Sequence, residues 1–303
     1  TILITGASGF IGSSISKYLS KKKYKIVEVS RTKIGENVIS KDISGSTDWS
    51  NELNDIDIII HCAASVHQMK RSNHSIESYK KLNVEGTLNL AKQAKSVVKR
   101  FIFLSTIKVN GEVTFNKKFT AEDQLCPKDP YSISKKMAED GLKKISDSSE
   151  MEIVIVRPPL VYGRNQKGNL GNLASLISLR APLPFGSINS NSRSLIYLEN
   201  LTRFIHVCAF HPDAANETFL ISDDKDISTK EIILLIAKAK NKKAFLIPIP
   251  IRLLRLLFAF IRKKDYGDRL IGDLSVDINK SKNLLDWKPK FSIEEGFMRS
   301  FQD

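Results

Sequence analysis

A tyrosine and a lysine four residues apart, Tyr131 and Lys135, have the clearest capacity for chemistry in this chain. Residues at this spacing share one face of a helix, so the lysine ammonium can lie beside the phenol. A neighbouring positive charge favours the ionised phenol and lowers its pKa. The pair therefore predicts a tyrosine that donates and accepts a proton near neutral pH.

A glycine-rich turn, TGASGFIG at residues 5–12, follows the first apolar run of the chain. Its three glycines stand where a strand passes into a helix, so bare backbone N–H groups and the helix N-terminus can face a pyrophosphate. The spacing GxxGxxG differs from the common GxGxxG, and a purely structural turn remains the alternative. The residues predicted to hold a dinucleotide here are Gly6, Ser8, Gly9, Phe10, Ile11 and Gly12.

The apolar run at residues 25–29 predicts a second strand, which ends at Ser30 and Arg31. An NAD-selective site usually places an acidic residue there for the ribose 2′-hydroxyl. A hydroxyl followed by a guanidinium favours a 2′-phosphate, so we predict NADP(H) as the preferred cofactor and NAD(H) as the alternative. Asp42, next to Ile43, is a candidate for the adenine amino group, and a turn-capping aspartate explains it equally well.

The composition is that of an ordinary globular protein of 303 residues, 42% of them hydrophobic, which is enough for a sizeable core. A formal charge of +14 would suit an anionic ligand, a nucleic acid or an acidic membrane surface. No basic block is interleaved with aromatic residues, so we expect a lysine-rich solvated surface and no nucleic-acid partner.

Three cysteines, Cys62, Cys126 and Cys208, form no CxxC pair and no zinc-like spacing with histidine. We therefore predict neither a disulfide nor a metal site, and a cytoplasmic location. The chain opens on an apolar strand and lacks the pattern of a signal peptide. The longest apolar stretch, residues 244–261, contains two prolines and two arginines, so we expect no transmembrane segment.

The segment IRLLRLLFAFIRKK at residues 251–264 has the pattern of a basic amphipathic helix. Such a helix permits weak peripheral contact with a membrane. Most apolar helices of globular chains are packed, so we expect the apolar face of this helix, which contains Arg252 to Lys264, to lie against the core.

Strand-like and helix-like runs alternate over the first 160 residues, which predicts an α/β fold with a doubly wound parallel sheet. The predicted strands are residues 2–4, 25–29, 56–61, 101–105 and 153–156, and residues 194–198 and 218–221 are expected to return to the main sheet. Ser228 and Glu231 predict a capped helix to residue 240. We expect a cofactor domain at 1–163 with returning segments at about 194–242, interleaved with a substrate lobe at 164–193 and 243–303.

Several ordered motifs identify a resemblance that covers essentially the whole chain. They are residues 5–12, HCAA at 61–64, NVEGT at 83–87, STIKVNG at 105–111 and YSISK at 131–135. The chain resembles the extended short-chain dehydrogenase/reductases, in the branch similar to UDP-glucose 4-epimerase. The resemblance implies a Rossmann-type sheet, a homodimer, and a UDP-linked sugar as substrate. It also implies that Thr106 hydrogen-bonds the reacting oxygen, Tyr131 is the acid/base, and Lys135 binds the nicotinamide ribose.

The same resemblance assigns the remaining site residues. It implies cofactor contacts for Ala63, Ala64, Ser65, Asn83, Ser105 and Pro158. It implies sugar or nucleotide contacts for Val66, His67, Lys108, Asn172, Pro184 and Phe185, and diphosphate contacts for Arg193 and Arg269. His61 is expected to be structural, because the phenol already fills the proton-transfer role.

One departure from the 4-epimerase pattern bears on whether the reaction is an epimerisation or a reduction. Val109, Asn110 and Gly111 stand where 4-epimerases usually carry Val-Tyr-Gly. This segment resembles that of bacterial UDP-4-keto-hexosamine reductases, which contribute to surface polysaccharide (O-antigen) precursors. We therefore expect NADPH-dependent reduction at C4 of a UDP-4-keto-6-deoxy-N-acetylhexosamine. A UDP-sugar 4-epimerase with bound NAD is the nearest alternative, and a non-catalytic, membrane-associated NADP(H)-binding scaffold is a remote one.

Overall fold

The computed structural model of the chain describes residues 1–31, 38–65, 76–166, 168–260 and 264–302. Its strands are β1 (Ile2–Thr5), β2 (Ile26–Ser30), β3 (Val38–Ser40), β4 (Ile58–His61), β5 (Arg100–Leu104), β6 (Glu152–Arg157), β7 (Leu160–Tyr162), β8 (Pro182–Leu183), β9 (Leu195–Tyr197), β10 (Thr218–Leu220) and β11 (Phe245–Leu246).

Its α-helices are α1 (Phe10–Lys21), α2 (Ile76–Tyr79), α3 (Thr87–Ala94), α4 (Pro130–Ser146), α5 (Asn169–Ser178), α6 (Leu198–Phe210), α7 (Thr229–Ala239), α8 (Ile251–Phe260), α9 (Lys264–Ile271), α10 (Asn279–Leu285) and α11 (Ile293–Phe301). A π-helical segment, Lys80–Gly86, joins α2 to α3, and short 3₁₀ turns occupy Ile107–Val109 and Pro212–Ala214.

Within the described residues, the main sheet has seven strands in the order β10-β6-β5-β4-β1-β2-β3, and every neighbouring pair is parallel. The chain order reverses between β1 and β4. In doubly wound sheets, ligands bind at the carboxyl edge beside such a reversal. The predicted doubly wound α/β fold is confirmed.

Both faces of this sheet are covered, which explains the nearly continuous apolar strands. Ile2 and Ile4 point into one core cluster, which contains residues of α1, α6 and α10. Leu3 points into the other, which contains residues of α3 and α4. Helix α4 therefore lies against the sheet on the second face.

The smaller lobe has its own core, built around Tyr162, Ile233 and Phe297 from β7, α7 and α11. Helix α7 is capped as predicted by Ser228 and Glu231, whose side chain and backbone groups bond reciprocally. It packs with α5 and α11, so it belongs to the lobe and not to the segments that return to the first domain.

One strand prediction is wrong. Residues 195–197 form β9, which pairs with β7 in a separate two-stranded parallel sheet and does not return to the main sheet. β10 does return, beside β6. The third strand, β3, was not predicted, because three residues give too short an alternation to recognise.

The prediction that α8 faces the core holds for only part of the helix. Leu254 and Phe258 are buried, whereas Leu256 and Phe260 are 67% and 88% exposed. Among the described residues, no helix is long and apolar enough to cross a membrane.

Candidate functional site

The predicted site groups lie at the carboxyl edge of the main sheet. The glycine turn follows β1, Ser30 ends β2, Ala63 and Ser65 follow β4, Thr106 follows β5, and Pro158 follows β6. Because the strands are parallel, these five chain segments meet along one edge. The fold thus gathers residues as far apart in sequence as Gly6 and Pro158, which are 152 positions apart.

The turn after β1 fits a bound pyrophosphate. Gly6 has φ +70°, and a Cβ on it would lie 2.8 Å from the Cα of Ala63. A Cβ on Gly12 would lie 2.2 Å from the carbonyl oxygen of Gly6, so the turn can close only with glycine at both places. Within the described chain no side chain caps α1 at Gly9, and Ser8 and Gly9 are exposed, which leaves the positive end of the helix open to an anion. Phe10 and Ile11 are half-buried in its first turn.

The ends of β2 and β3 are tied together beside this turn. The Lys41 N–H donates to the Ser30 carbonyl at 3.0 Å, and the Ser40 hydroxyl donates to the Arg31 carbonyl at 3.2 Å. Ser30 is buried, and Arg31 and Asp42 are exposed. The edge predicted to receive an adenosine ribose therefore presents a guanidinium to solvent.

Two residues predicted to contact the cofactor, Ile43 and Asn83, make contacts within the protein. Ile43 is buried, and its side chain and carbonyl press on Gly86, where a Cβ would come within 2.8 Å. Asn83 lies in the π-helical segment and accepts from the Ser65 N–H at 2.8 Å, while it donates to the hydroxyl of Ser134 at 3.0 Å. Asn83 therefore fixes the loop after β4 to helix α4. Single π-helical turns of this kind are frequent at functional sites.

His61 is a core residue, as expected. Its Nδ1 lies 2.8 Å from the Thr5 hydroxyl and its Nε2 lies 2.9 Å from the Thr87 hydroxyl. Because Thr87 donates to the Asn83 carbonyl, it accepts from His61 Nε2. Burial lowers the pKa of His61 to about 3, so the ring is neutral and bridges β1 and α3.

Tyr131 lies in the first turn of α4. The helix starts at Pro130 and is capped by Asp129, which accepts from the Ser132 N–H at 2.7 Å. Burial, with Asp129 and Tyr79 nearby, raises the pKa of the Tyr131 phenol above its ordinary value of 10. The protein without cofactor therefore holds this phenol protonated.

Lys135 is buried one turn further along α4. Its ammonium lies 4.0 Å from the centroid of the Phe103 ring. Burial lowers the pKa of Lys135 to about 7, although Glu139 and Cys62 act in the opposite direction. The predicted lowering of the Tyr131 pKa by this ammonium is therefore absent in the protein without cofactor, where the lysine is only partly charged at neutral pH.

The turn that carries Thr106 is held against the same end of α4. Thr106 caps the short 3₁₀ turn and its hydroxyl accepts from the Lys108 N–H at 3.3 Å. The Ile107 N–H donates to the carbonyl of Pro158 at 3.0 Å, and the Lys108 ammonium pairs with Asp129. Thr106 and Tyr131 are thus anchored through the two partners Lys108 and Asp129.

A buried polar network lies beneath this turn. The Ser105 hydroxyl donates to Glu139, which forms an ion pair with Arg157 at 2.6 Å. Arg157 also donates to the Asn110 side-chain oxygen at 3.2 Å, and the Asn110 amide donates to the Thr120 carbonyl. Asn110, the departure from the 4-epimerase pattern, is therefore buried and bonded within the protein.

Arg193 and Arg269, predicted for a diphosphate, are brought together. The Arg193 guanidinium donates to the Arg269 carbonyl and, at 3.1 Å, to that of Gly272. Burial lowers the pKa of Arg193 to about 10. Arg269 reaches Glu112 at 2.6 Å, and the same carboxylate lies 3.6 Å from the ammonium of Lys108. Lys108 and Arg269 therefore share the carboxylates of Glu112 and Asp129, whereas Arg193 bonds to backbone carbonyls.

The remaining predicted substrate residues are more dispersed. Asn172 is exposed on α5, and Pro184 and Phe185 are half-buried after β8. Phe185 packs against the lobe core around Tyr162 and against a smaller cluster that contains Ile188 and Leu254. Val66 and His67 lie outside the described residues.

Sequence reasoning missed Glu139 and the carboxylates Glu112 and Asp129. Glu139 had a local signal, because Tyr131, Lys135 and Glu139 recur every four residues on one face of α4. Glu112 had none, since its contact with Arg269 joins segments 157 residues apart.

The parallel sheet, the glycine turn after β1 and the Tyr131 and Lys135 pair on the helix beside it define a Rossmann-type dinucleotide-binding enzyme. The chain belongs to the NAD dependent epimerase/dehydratase family, whose sequence model matches residues 2–222.

Individual proteins agree with this assignment. The chain is 42% identical over 314 residues to a UDP-glucose 4-epimerase of Vibrio cholerae, with 100% of this chain and 94% of the relative covered. It is 28% identical over 271 residues to the N-acetyl-alpha-D-glucosaminyl-diphospho-ditrans,octacis-undecaprenol 4-epimerase of Escherichia coli O157:H7, with 84% of this chain and 77% of the relative covered. A UDP-glucuronic acid 4-epimerase from Bacillus cereus, solved with NAD, has the same fold, with a TM-score of 0.81, 23% identity and coverage of 99% and 97%.

Proposed function

We propose that this protein is an NADPH-dependent reductase that acts at C4 of a UDP-4-keto-6-deoxy-N-acetylhexosamine. The observation that carries the proposal is the end of β2, where Ser30 and an exposed Arg31 occupy the place of the usual acidic residue. A 2′-phosphate would complement that guanidinium, and a dissociable NADPH suits a net reduction.

The protonation of Tyr131 suits the same direction of reaction. Reduction of a ketone builds negative charge on its oxygen, and a neutral phenol can donate a proton to it. Burial keeps the phenol of Tyr131 in that form, because it raises its pKa. The hydroxyl of Thr106 would supply a second hydrogen bond to the same oxygen. A bound nicotinamide cofactor would supply the hydride.

Arg193 and Arg269 would hold the diphosphate of the substrate. Arg193 is fixed by two backbone carbonyls, so its guanidinium is already oriented. Arg269 is 39% exposed and pairs with Glu112, so a diphosphate would have to compete with this carboxylate. Guanidinium groups bind such oxygens in a bidentate manner.

A UDP-sugar 4-epimerase is the second candidate, favoured by the 42% identity to the Vibrio cholerae protein of that name. It would use Thr106 and Tyr131 in the same places, with a cofactor that stays bound through an oxidation and a re-reduction. The two candidates therefore differ in cofactor turnover and not in the predicted acid/base residue.

The test is to mix purified protein with the 4-keto sugar and to follow the absorbance of NADPH and, separately, of NADH. Loss of one NADPH per sugar supports the reductase, and a Tyr131→Phe variant should slow that loss by about 10²–10⁴. In parallel, UDP-glucose and UDP-N-acetylglucosamine are each incubated with the protein without added cofactor, and the products are examined by NMR. Interconversion at C4 there, with no NADPH loss in the first assay, would instead establish the epimerase.

A further inference from the structure

Helix α8 carries an apolar stripe that faces outward. Leu253, Leu256, Leu257 and Phe260 recur at the i, i+3, i+4 and i+7 spacing of one helix face, with exposed fractions of 55%, 67%, 47% and 88%. A stripe of this spacing normally packs on a core. A contiguous exposed apolar surface marks an interaction site.

A different pair of side chains attaches α8 to the lobe. Leu254 and Phe258 are buried one turn apart and pack in a cluster with Ile188 and Ile271. The outward stripe is therefore not needed to hold the helix in place. Its four apolar side chains are available to a surface outside the chain.

The charge around the stripe indicates which kind of surface would cover it. The described residues 245–260 contain two arginines, Arg252 and Arg255, and no other charged residue. Arg252 and Arg255 are exposed on α8 itself. They also line an apolar cavity of about 500 Å³ between α8 and α9, together with Leu256, Ala259 and one carboxylate, that of Asp268. Guanidinium groups around an apolar recess complement a phosphate that stands above hydrocarbon.

We propose that α8 docks this protein on an anionic lipid bilayer, with the stripe in the acyl boundary and Arg252 and Arg255 at the level of the lipid phosphates. A helix with a large apolar face and basic flanks lies in the plane of such an interface. Anionic headgroups add attraction for each nearby cation. The docking is peripheral and independent of the reaction assigned to the site.

Flotation with vesicles tests this proposal on the full chain. Vesicles of phosphatidylcholine with phosphatidylglycerol should carry the protein upward, and pure phosphatidylcholine vesicles should carry much less. The variants Leu257→Ser/Phe260→Ser and Arg252→Gln/Arg255→Gln should each lower the partition coefficient at least about tenfold.

A matched control removes one exposed apolar side chain and two exposed cations elsewhere. Val97 is 59% exposed and lies between Lys95 and Lys99, both exposed. Val97→Ser with Lys95→Gln and Lys99→Gln should bind vesicles like the unaltered protein, which separates docking by α8 from attraction by the overall charge of +14. Thermal melting of each variant checks that it is folded.

Three results would overturn the proposal. The first is equal flotation of the α8 variants and the unaltered protein, and the second is equal binding to neutral vesicles. The third is that the unaltered protein does not float and is a dimer by light scattering, whereas the variant Leu257→Ser/Phe260→Ser is a monomer. That result would assign the stripe to a second copy of this chain.

Discussion

Arg157 Nη2 lies 2.6 Å from Glu139 Oε2, and both side chains are only 1% exposed. The pair joins the end of β6 to the helix that carries Tyr131 and Lys135, and the Ser105 hydroxyl adds the end of β5 through its bond to Glu139. Removing one partner of a buried pair leaves the other charge without compensation. The geometry of the candidate site therefore depends on a pair of charges beneath it.

Arg157→Met should lower the free energy of unfolding by about 3–5 kcal/mol, because it leaves the Glu139 carboxylate buried without its guanidinium. Urea denaturation measures this. The double variant Arg157→Met/Glu139→Leu should recover a large part of the loss. Lys136→Met is the control, since it breaks an exposed pair with Asp140 on the same helix and should cost no more than about 1 kcal/mol. Equal losses in the two single variants would contradict this account.

Tyr131→Phe should lower kcat by about 10²–10⁴, the usual contribution of a positioned proton donor, with little change in melting temperature. Tyr24→Phe is the matched control, because its hydroxyl lies 3.2 Å from His206 away from the site. Steady-state kinetics on both variants measures the difference. A Tyr131→Phe enzyme with the rate of the unaltered protein would remove the phenol from the mechanism.

Lys135 should make the cofactor-free protein more stable as the pH rises. Its pKa in the folded chain is about 7 and its ordinary value is 10.5, so between these values the unfolded chain binds more protons. Stability from this group therefore increases from pH 7 upward. Relative to Lys135→Met, the unaltered protein should gain at least about 1 kcal/mol between pH 7 and 9.

Urea denaturation at several pH values measures that gain, and Lys136→Met, which alters an exposed lysine next in sequence, should show the pH dependence of the unaltered protein. A stability difference between the unaltered protein and Lys135→Met that does not change with pH would show that Lys135 titrates normally.

Arg31→Ser should weaken NADPH binding about tenfold or more, because it removes a charge-assisted hydrogen bond to the 2′-phosphate, and it should leave NADH binding unchanged. Fluorescence titration of the two cofactors measures both constants. Lys22→Ser removes an exposed cation at the other end of α1 and should change neither. Equal weakening of NADPH and NADH by Arg31→Ser would contradict the proposed preference.

All strands of the main sheet except β3 could be predicted, because they are short, nearly uninterrupted apolar runs, as burial on both faces demands. Helix α7 was predictable from the reciprocal cap of Ser228 and Glu231. The partner of β9 was not, since the pairing of a three-residue strand depends on where the lobe places it. The exposure of the apolar stripe on α8 could not be predicted, because the sequence pattern does not show whether a core or an outside surface covers it.

At the site, the motifs located the residues after each strand but not their contacts. Thr106, Tyr131 and Asn83 come to one edge because parallel strands end there. The pairing of Arg269 with Glu112 depends on the packing of the lobe, which no local pattern records. The roles of these residues, the NADP(H) preference and a homodimeric state remain predictions.

The most direct test of the proposed reaction uses NADPH that carries deuterium in the hydride position of the nicotinamide ring. The 4-keto sugar is converted and the product is examined by NMR and mass spectrometry, with both faces of the ring labelled in separate samples. One deuterium per product molecule is expected at C4, from one of the two labelled forms, and Tyr131→Phe should form this product about 10²–10⁴ times more slowly. A product without deuterium at C4, formed at the normal rate, would contradict the proposed reaction.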